Sequence, residues 1–133
     1  MNGHGVVTLA NGERFDGQWK NDKKNGHGVY IYANGDRYVG EYQDDQKSGH
    51  GVYTYANASR YNGEWRDGKK NGRGTEVHAD GSRYDGEWRD NLPSGLGTAV
   101  WLNGDSYAGL WIMGCYRSGN RTASWGVDLS SCQ

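Results

Sequence analysis

A Gly-x-Gly triplet returns at Gly3/Gly5, Gly26/Gly28, Gly49/Gly51, Gly72/Gly74 and Gly95/Gly97, 23 residues apart each time. Three more columns run in phase with it. Phe15, Tyr38, Tyr61, Tyr84 and Tyr107 form one, Gly17, Gly40, Gly63, Gly86 and Gly109 the next, and Trp19, Tyr42, Trp65, Trp88 and Trp111 the third. A unit this short cannot bury its own apolar surface, so the period requires one supersecondary element stacked on copies of itself. Residues 1–118 therefore read as five 23-residue repeats. Residues 119–133 read as a partial sixth that keeps Trp125 but lacks the Tyr-x-Gly-x-Trp segment, which suits a terminal cap.

Turn chemistry identifies the unit as a β-hairpin. Asn11-Gly12, Asn34-Gly35, Asp80-Gly81 and Asn103-Gly104 are preferred dipeptides for two-residue type I′ turns. Asn57-Ala58 departs from the series, since Ala is strained at a positive φ, and the third turn is expected to differ or to be looser. No stretch carries a sustained helical period. The expectation is an all-β, solenoid-like, twisted antiparallel meander of hairpins joined by six-residue linkers. It would advance roughly 10 Å per repeat, two strands at a time. With hydrophobic residues at 34%, the 10 Tyr and 6 Trp must do most of the burying.

A two-residue loop at Asn34-Gly35 pairs Tyr32 with Arg37 and Ile31 with Tyr38, and paired residues share a face. On this register Val29 and Ile31 join Tyr38, Gly40 and Tyr42 on a structural face. The other face carries Tyr30, Tyr32, Tyr53, Tyr55 and Trp101 beside Arg14, Arg37, Arg60 and Arg83, with Glu41, Glu64 and Glu87. Tyr and Arg dominate binding hot spots, so this is the candidate protein-binding surface. Tyr–Arg stacking that merely stabilises an exposed sheet is the competing reading. In the fourth repeat the same positions hold Glu76 and His78, an isolated exposed pair.

Two other surfaces draw attention. Lys23, Lys24, Arg66, Lys69 and Lys70 fall in linkers along one edge and form a candidate site for anionic phospholipid, diluted by Asp22, Asp44, Asp45, Asp67 and Asp90. Near the C-terminus, Leu110 and Ile112 replace polar residues. They are candidates for self-association, or for cover by Trp125, Val127 and Leu129.

No catalytic constellation, cofactor motif or metal-ligand spacing emerges. His4, His27 and His50 recur one repeat apart, too far to share an ion. The Gly-x-Gly triplets lack the third Gly and following helix of a dinucleotide site. A formal charge of −1 gives no pull toward nucleic acid. The longest apolar stretch, about Ala99 to Leu102, is too short to span a membrane. Cys115 and Cys132, the two cysteines, make no disulfide framework, which points to a reducing cytoplasmic setting.

Tyr61-x-Gly63-Glu64-Trp65-Arg66-Asp67-Gly68-Lys69-x-Asn71-Gly72-x-Gly74 resembles the repeat of the MORN (membrane occupation and recognition nexus) family. The resemblance covers Gly3 to Ser118. It implies a single-layer elongated sheet, makes homodimerisation and phosphoinositide binding plausible, and allows the chain to be the targeting piece of a larger protein. The expected function is a non-catalytic scaffold, associated with cytoskeleton or membrane. It would hold a peptide or helix of a partner protein on the Tyr/Arg face.

Overall fold

A computed structural model describes residues 2–132. Twelve strands form one antiparallel sheet in which every strand neighbours its predecessor in sequence. The strands are β1 (Gly3–Thr8), β2 (Arg14–Lys20), β3 (Lys23–Ile31), β4 (Arg37–Gln43), β5 (Gln46–Thr54), β6 (Arg60–Arg66), β7 (Lys69–Val77), β8 (Arg83–Arg89), β9 (Leu92–Val100), β10 (Ser106–Ile112), β11 (Cys115–Ser118) and β12 (Arg121–Ser124). A 3-10 turn at Leu129–Cys132 follows. The sheet is an open meander, as the period implied.

The turns differ from expectation, and the difference decides the faces. Tyr32 donates its N–H to the Asp36 carbonyl at 2.9 Å, and Gly35 donates to the Tyr32 carbonyl at 3.1 Å. The loop is therefore the three residues Ala33–Gly35. Gly35 alone carries a positive φ, of 96°, as in a type I turn closed by a G1 bulge. The Asn34 side chain accepts from the Asp36 N–H at 2.9 Å and holds the turn. Ala58 takes the Gly35 position at φ 76°, and the Tyr55 and Ala58 N–H groups donate to the Ser59 and Tyr55 carbonyls at 2.8 and 2.9 Å, so the third turn is not looser as expected but keeps the common geometry with a strained Ala.

Type I′ turns do occur, but between the repeats. Asn21 and Asp22, Asp44 and Asp45, Asp67 and Gly68, and Asp90 and Asn91 all have positive φ. They connect Lys20 to Lys23, Gln43 to Gln46, Arg66 to Lys69 and Arg89 to Leu92 across paired strands. The expected six-residue linkers are strand on both sides of these two-residue turns, with a bulge at Gly17/Trp19 and its repeats.

One added loop residue shifts the register by one and reverses half of each hairpin. Tyr30 pairs with Tyr38, and Ile31 with Arg37. Tyr30, Tyr32, Tyr53 and Tyr55 thus lie on the face of Tyr38, Tyr42, Tyr61 and Trp65, while Val29 and Ile31 join the arginines. The Tyr/Arg face expected from sequence does not exist as one surface.

The core is a single aromatic layer on one side of the sheet. Tyr38, Tyr61, Tyr84, Trp65, Trp88 and Trp111 are buried there. Their rings meet edge to face in a zigzag: Tyr38–Trp65 at 5.5 Å, Trp65–Tyr61 at 5.2 Å, Tyr61–Trp88 at 5.1 Å, Trp88–Tyr84 at 5.2 Å and Tyr84–Trp111 at 5.3 Å. Such geometry sets ring edges against ring faces, worth about 0.5–1.5 kcal/mol per pair beyond area burial. The paired glycines make room for it. A Cβ on Gly51 would stand 2.2 Å from the Tyr38 hydroxyl, so only hydrogen lets the ring lie across the strands. Trp65 and Trp88 donate their indole N–H to the carbonyls of Gly51 and Gly74.

Candidate functional site

Above the zigzag lies a second, half-buried row of rings. Tyr30 and Tyr32 stand 4.4 Å apart, Tyr32 and Tyr53 5.6 Å, and Tyr53 and Tyr55 4.7 Å. Each inner tyrosine is anchored through its hydroxyl. Tyr30 donates to Glu13 at 2.8 Å and Tyr53 to Asp36 at 2.6 Å. The same carboxylates accept from the backbone of the next turn, at Ala33 and Ala56. One acid per repeat therefore couples the ring row to the turns.

A lysine caps the rings from the other end of each repeat. Lys24 Nζ lies 5.4 Å from the centroids of both Phe15 and Tyr30. Lys47 lies 5.4–5.7 Å from Tyr38, Tyr32, Tyr53 and Trp65. Ring faces are the negative end of the aromatic quadrupole and hold the ammonium there. Burial lowers the Lys47 pKa, with the nearby Lys24 charge adding to it.

The fourth repeat breaks the pattern. Glu76 occupies the position of Tyr30 and Tyr53, and Ser59 that of Glu13 and Asp36. Glu76 is buried at 6% exposure. Its Oε2 accepts from Lys70 Nζ at 2.5 Å. Its Oε1 lies 3.2 Å from His78 Nε2 and accepts from the Trp125 indole at 2.8 Å. Burial alone would raise the Glu76 pKa, but the bonds to His78, Lys70 and Trp125 outweigh it and hold the carboxyl down at about 2. Beside this cluster opens a cleft of about 450 Å³, lined by Tyr55, Ser59, Lys70, Glu76, His78 and Asp80 among others. The pair read from sequence as isolated is the centre of a four-residue network.

The fifth repeat departs again, with Pro93 in the lysine column and Ala99 in the tyrosine column. Trp125, delivered by the C-terminal segment, stacks on His78 at 4.2 Å and packs on Trp101 and Tyr84 at 5.9 and 6.0 Å. Cys115 and Cys132 form a disulfide that ties this segment to β11. The expectation of free thiols is thereby corrected, and with it the argument for a reducing compartment, since disulfides persist where conditions are oxidising. Trp125 folds over the aromatic face, so Leu110 and Ile112 on the other face stay uncovered at 58% and 63% exposure.

Of the expected binding residues, Tyr30, Tyr32, Tyr53, Tyr55 and Trp101 come together on the aromatic face. Arg37, Arg60 and Arg83 face away, opposite Ile31 or Thr54, Thr54 or Val77, and Val77 or Val100. The basic edge also divides. Lys23, Arg66 and Lys69 remain exposed beside the turns, whereas Lys24 and Lys70 turn inward over the rings. Lys70, expected at the basic edge, Glu76 and His78, expected as an isolated pair, and Trp125, expected over Leu110 and Ile112, form one cluster that the sequence did not bring together. Their signal was present as departures from the repeat columns at positions 59, 76 and 99.

Among the described residues no group of three His, Cys, Asp or Glu side chains is placed to hold a metal ion, and no helix is long and apolar enough to cross a membrane. A family model described as MORN repeat matches residues 1–14, 15–37, 38–60, 61–83 and 84–106. No match to the chain was found among curated proteins.

Proposed function

Since this chain belongs to the MORN repeat family, whose repeats are generally non-catalytic modules of protein or membrane interaction, we propose that it is a scaffold that holds a segment of a partner protein along its aromatic face. The observation that carries this reading is the row Tyr30, Tyr32, Tyr53 and Tyr55, half-exposed above a buried aromatic layer that keeps each ring in place. Rigid aromatic surface that is already ordered costs little entropy to use in binding. Trp101 extends the same face. Arg37, Arg60 and Arg83 lie behind the sheet, so a segment lying flat on the tyrosines cannot also touch them.

A phospholipid role through the turn edge draws less support. With Lys24 and Lys70 withdrawn, Lys23, Arg66 and Lys69 stand among aspartates, and surface attraction to anionic lipid scales with the number of free cations.

The test is a pull-down from lysate of the source cells with two variants that remain folded by circular dichroism. Tyr32→Ser/Tyr55→Ser strips the aromatic row, and Arg37→Ser/Arg60→Ser/Arg83→Ser strips the other face. A partner retained by the wild type and the arginine variant but lost by the tyrosine variant is the expected result. Loss with the arginine variant alone would assign binding to the opposite face.

A further inference from the structure

The ring row runs from Tyr30 through Tyr32 and Tyr53 to Tyr55 and resumes at His78 with Trp125, Trp101 and Tyr107. Between Tyr55 and His78 a ring is missing, and the cleft of about 450 Å³ lies there. The internal repeat says what belongs in it. Tyr53 is surrounded by Tyr32, Tyr55, Trp65, Lys47 and Asp36. One period later those positions are Tyr55, His78, Trp88, Lys70 and Ser59, and four of these five line the cleft. The lining repeats the surroundings of a tyrosine ring, and the Glu76 carboxylate, drawn onto Lys70, His78 and Trp125, puts no ring there.

The chain itself supplies a precedent. In the fifth repeat the ring is again missing, at Ala99. There Trp125 enters from a distant segment, between His78 and Trp101, in the way Tyr53 sits between Tyr32 and Tyr55. A repeat of this design accepts a ring brought from outside it.

The geometry points to the Tyr55–His78 cleft as a receptor for one tyrosine side chain of a partner protein, which completes the fourth repeat by stacking between Tyr55 and His78 with its hydroxyl toward Ser59. This rests on the scaffold reading and makes it specific. Tyrosine fits better than an aliphatic side chain because Lys70 offers an ammonium to a ring face, as Lys47 does to Tyr53. It fits better than phenylalanine because the Ser59 hydroxyl, which accepts from the Ala79 N–H at 3.0 Å, keeps its own proton to donate to a tyrosine oxygen.

The probe is 4-methylphenol, the tyrosine side chain without its backbone, titrated into the whole chain and followed by NMR. Binding with a Kd on the order of millimolar, fitting for so few atoms, is expected. The shifts should concentrate on Tyr55, Ser59, His78 and Ala79, and 4-methylcyclohexanol, of similar size but without a flat π face, should bind at least about fivefold more weakly. The variant Ser59→Asp/Glu76→Tyr gives the fourth repeat the residues of the third and fills the cleft with the chain's own ring. It should fold and lose the 4-methylphenol shifts. Absence of localised shifts, equal binding of the cyclohexanol, or shifts undiminished in a folded double variant would each overturn the proposal. Partner capture separates the two readings: a partner still lost on Tyr32→Ser/Tyr55→Ser but fully retained by Ser59→Asp/Glu76→Tyr leaves the scaffold and removes the tyrosine receptor.

Discussion

Trp88→Ala lowers the stability of the chain by about 3–5 kcal/mol, measured as a shift in the urea midpoint. Trp88 is 3% exposed, and its ring joins the third repeat to the fourth through Tyr61 at 5.1 Å and Tyr84 at 5.2 Å. Its indole N–H satisfies the Gly74 carbonyl at 3.0 Å, and Lys70 rests over its face at 5.2 Å. The flanking Tyr61 and Tyr84 are pinned through their hydroxyls to the Glu64 and Glu87 carbonyls and cannot swing into the space, so most of the cavity cost remains. Repeat arrays also depend on the interfaces between neighbours, and the variant weakens one of them. The expected transition is therefore broader as well as earlier, with the two halves of the sheet losing strict two-state coupling. Arg83→Ala, on the exposed face behind, should change the midpoint by no more than about 0.5 kcal/mol.

Glu76→Gln has the second largest expected effect, about 3 kcal/mol at neutral pH. The carboxylate is the common partner of Lys70, His78 and Trp125, and removing its charge leaves the Lys70 ammonium at 11% side-chain exposure without a counter-ion. The effect carries its own pH signature. With a folded pKa near 2 against an ordinary carboxylate value of 4.5, Glu76 contributes stability that is present above the ordinary value. That contribution is lost as pH falls from about 5 toward 2. Wild type and variant should therefore converge in stability on acidification and separate again above pH 5. Glu13 and Asp36 are also held below their ordinary pKa, Glu13 chiefly by its bond from Tyr30 and Asp36 by its bonds from Tyr53 and Ala56 against burial. They titrate in both proteins, so the difference between the two curves isolates Glu76. A constant gap down to pH 2 would show that the ion pair is not formed.

The period, the strand class and the buried columns were legible because each repeats five times and tertiary context cannot erase a pattern so redundant. The faces were not, for a local reason. Asn34-Gly35 satisfies a two-residue type I′ loop and equally the last two positions of a three-residue loop with a G1 bulge, and these differ by one residue of register. The true type I′ turns sat in stretches read as linkers, at Asn21-Asp22 and its repeats, where acidic and amide residues tolerate positive φ. The fourth-repeat cluster was hidden differently. Trp125 reaches Glu76 across 49 residues, a pairing that no period announces. The disulfide was equally silent, because two cysteines 17 residues apart fix neither a bond nor a compartment.

The aromatic face and its cleft depend on the pairing of Ile31 with Arg37 instead of Tyr32 with Arg37. Cysteine pairs test this most directly. Facing residues of an antiparallel hairpin point their Cβ atoms to the same side of the sheet within disulfide reach, whereas residues on opposite faces point theirs apart. Under mild oxidation, Ile31→Cys/Arg37→Cys should close a disulfide seen as a linked peptide by mass spectrometry, and Tyr32→Cys/Arg37→Cys should not. A bond in the second variant and none in the first would put the tyrosines back beside the arginines and contradict the face assignment.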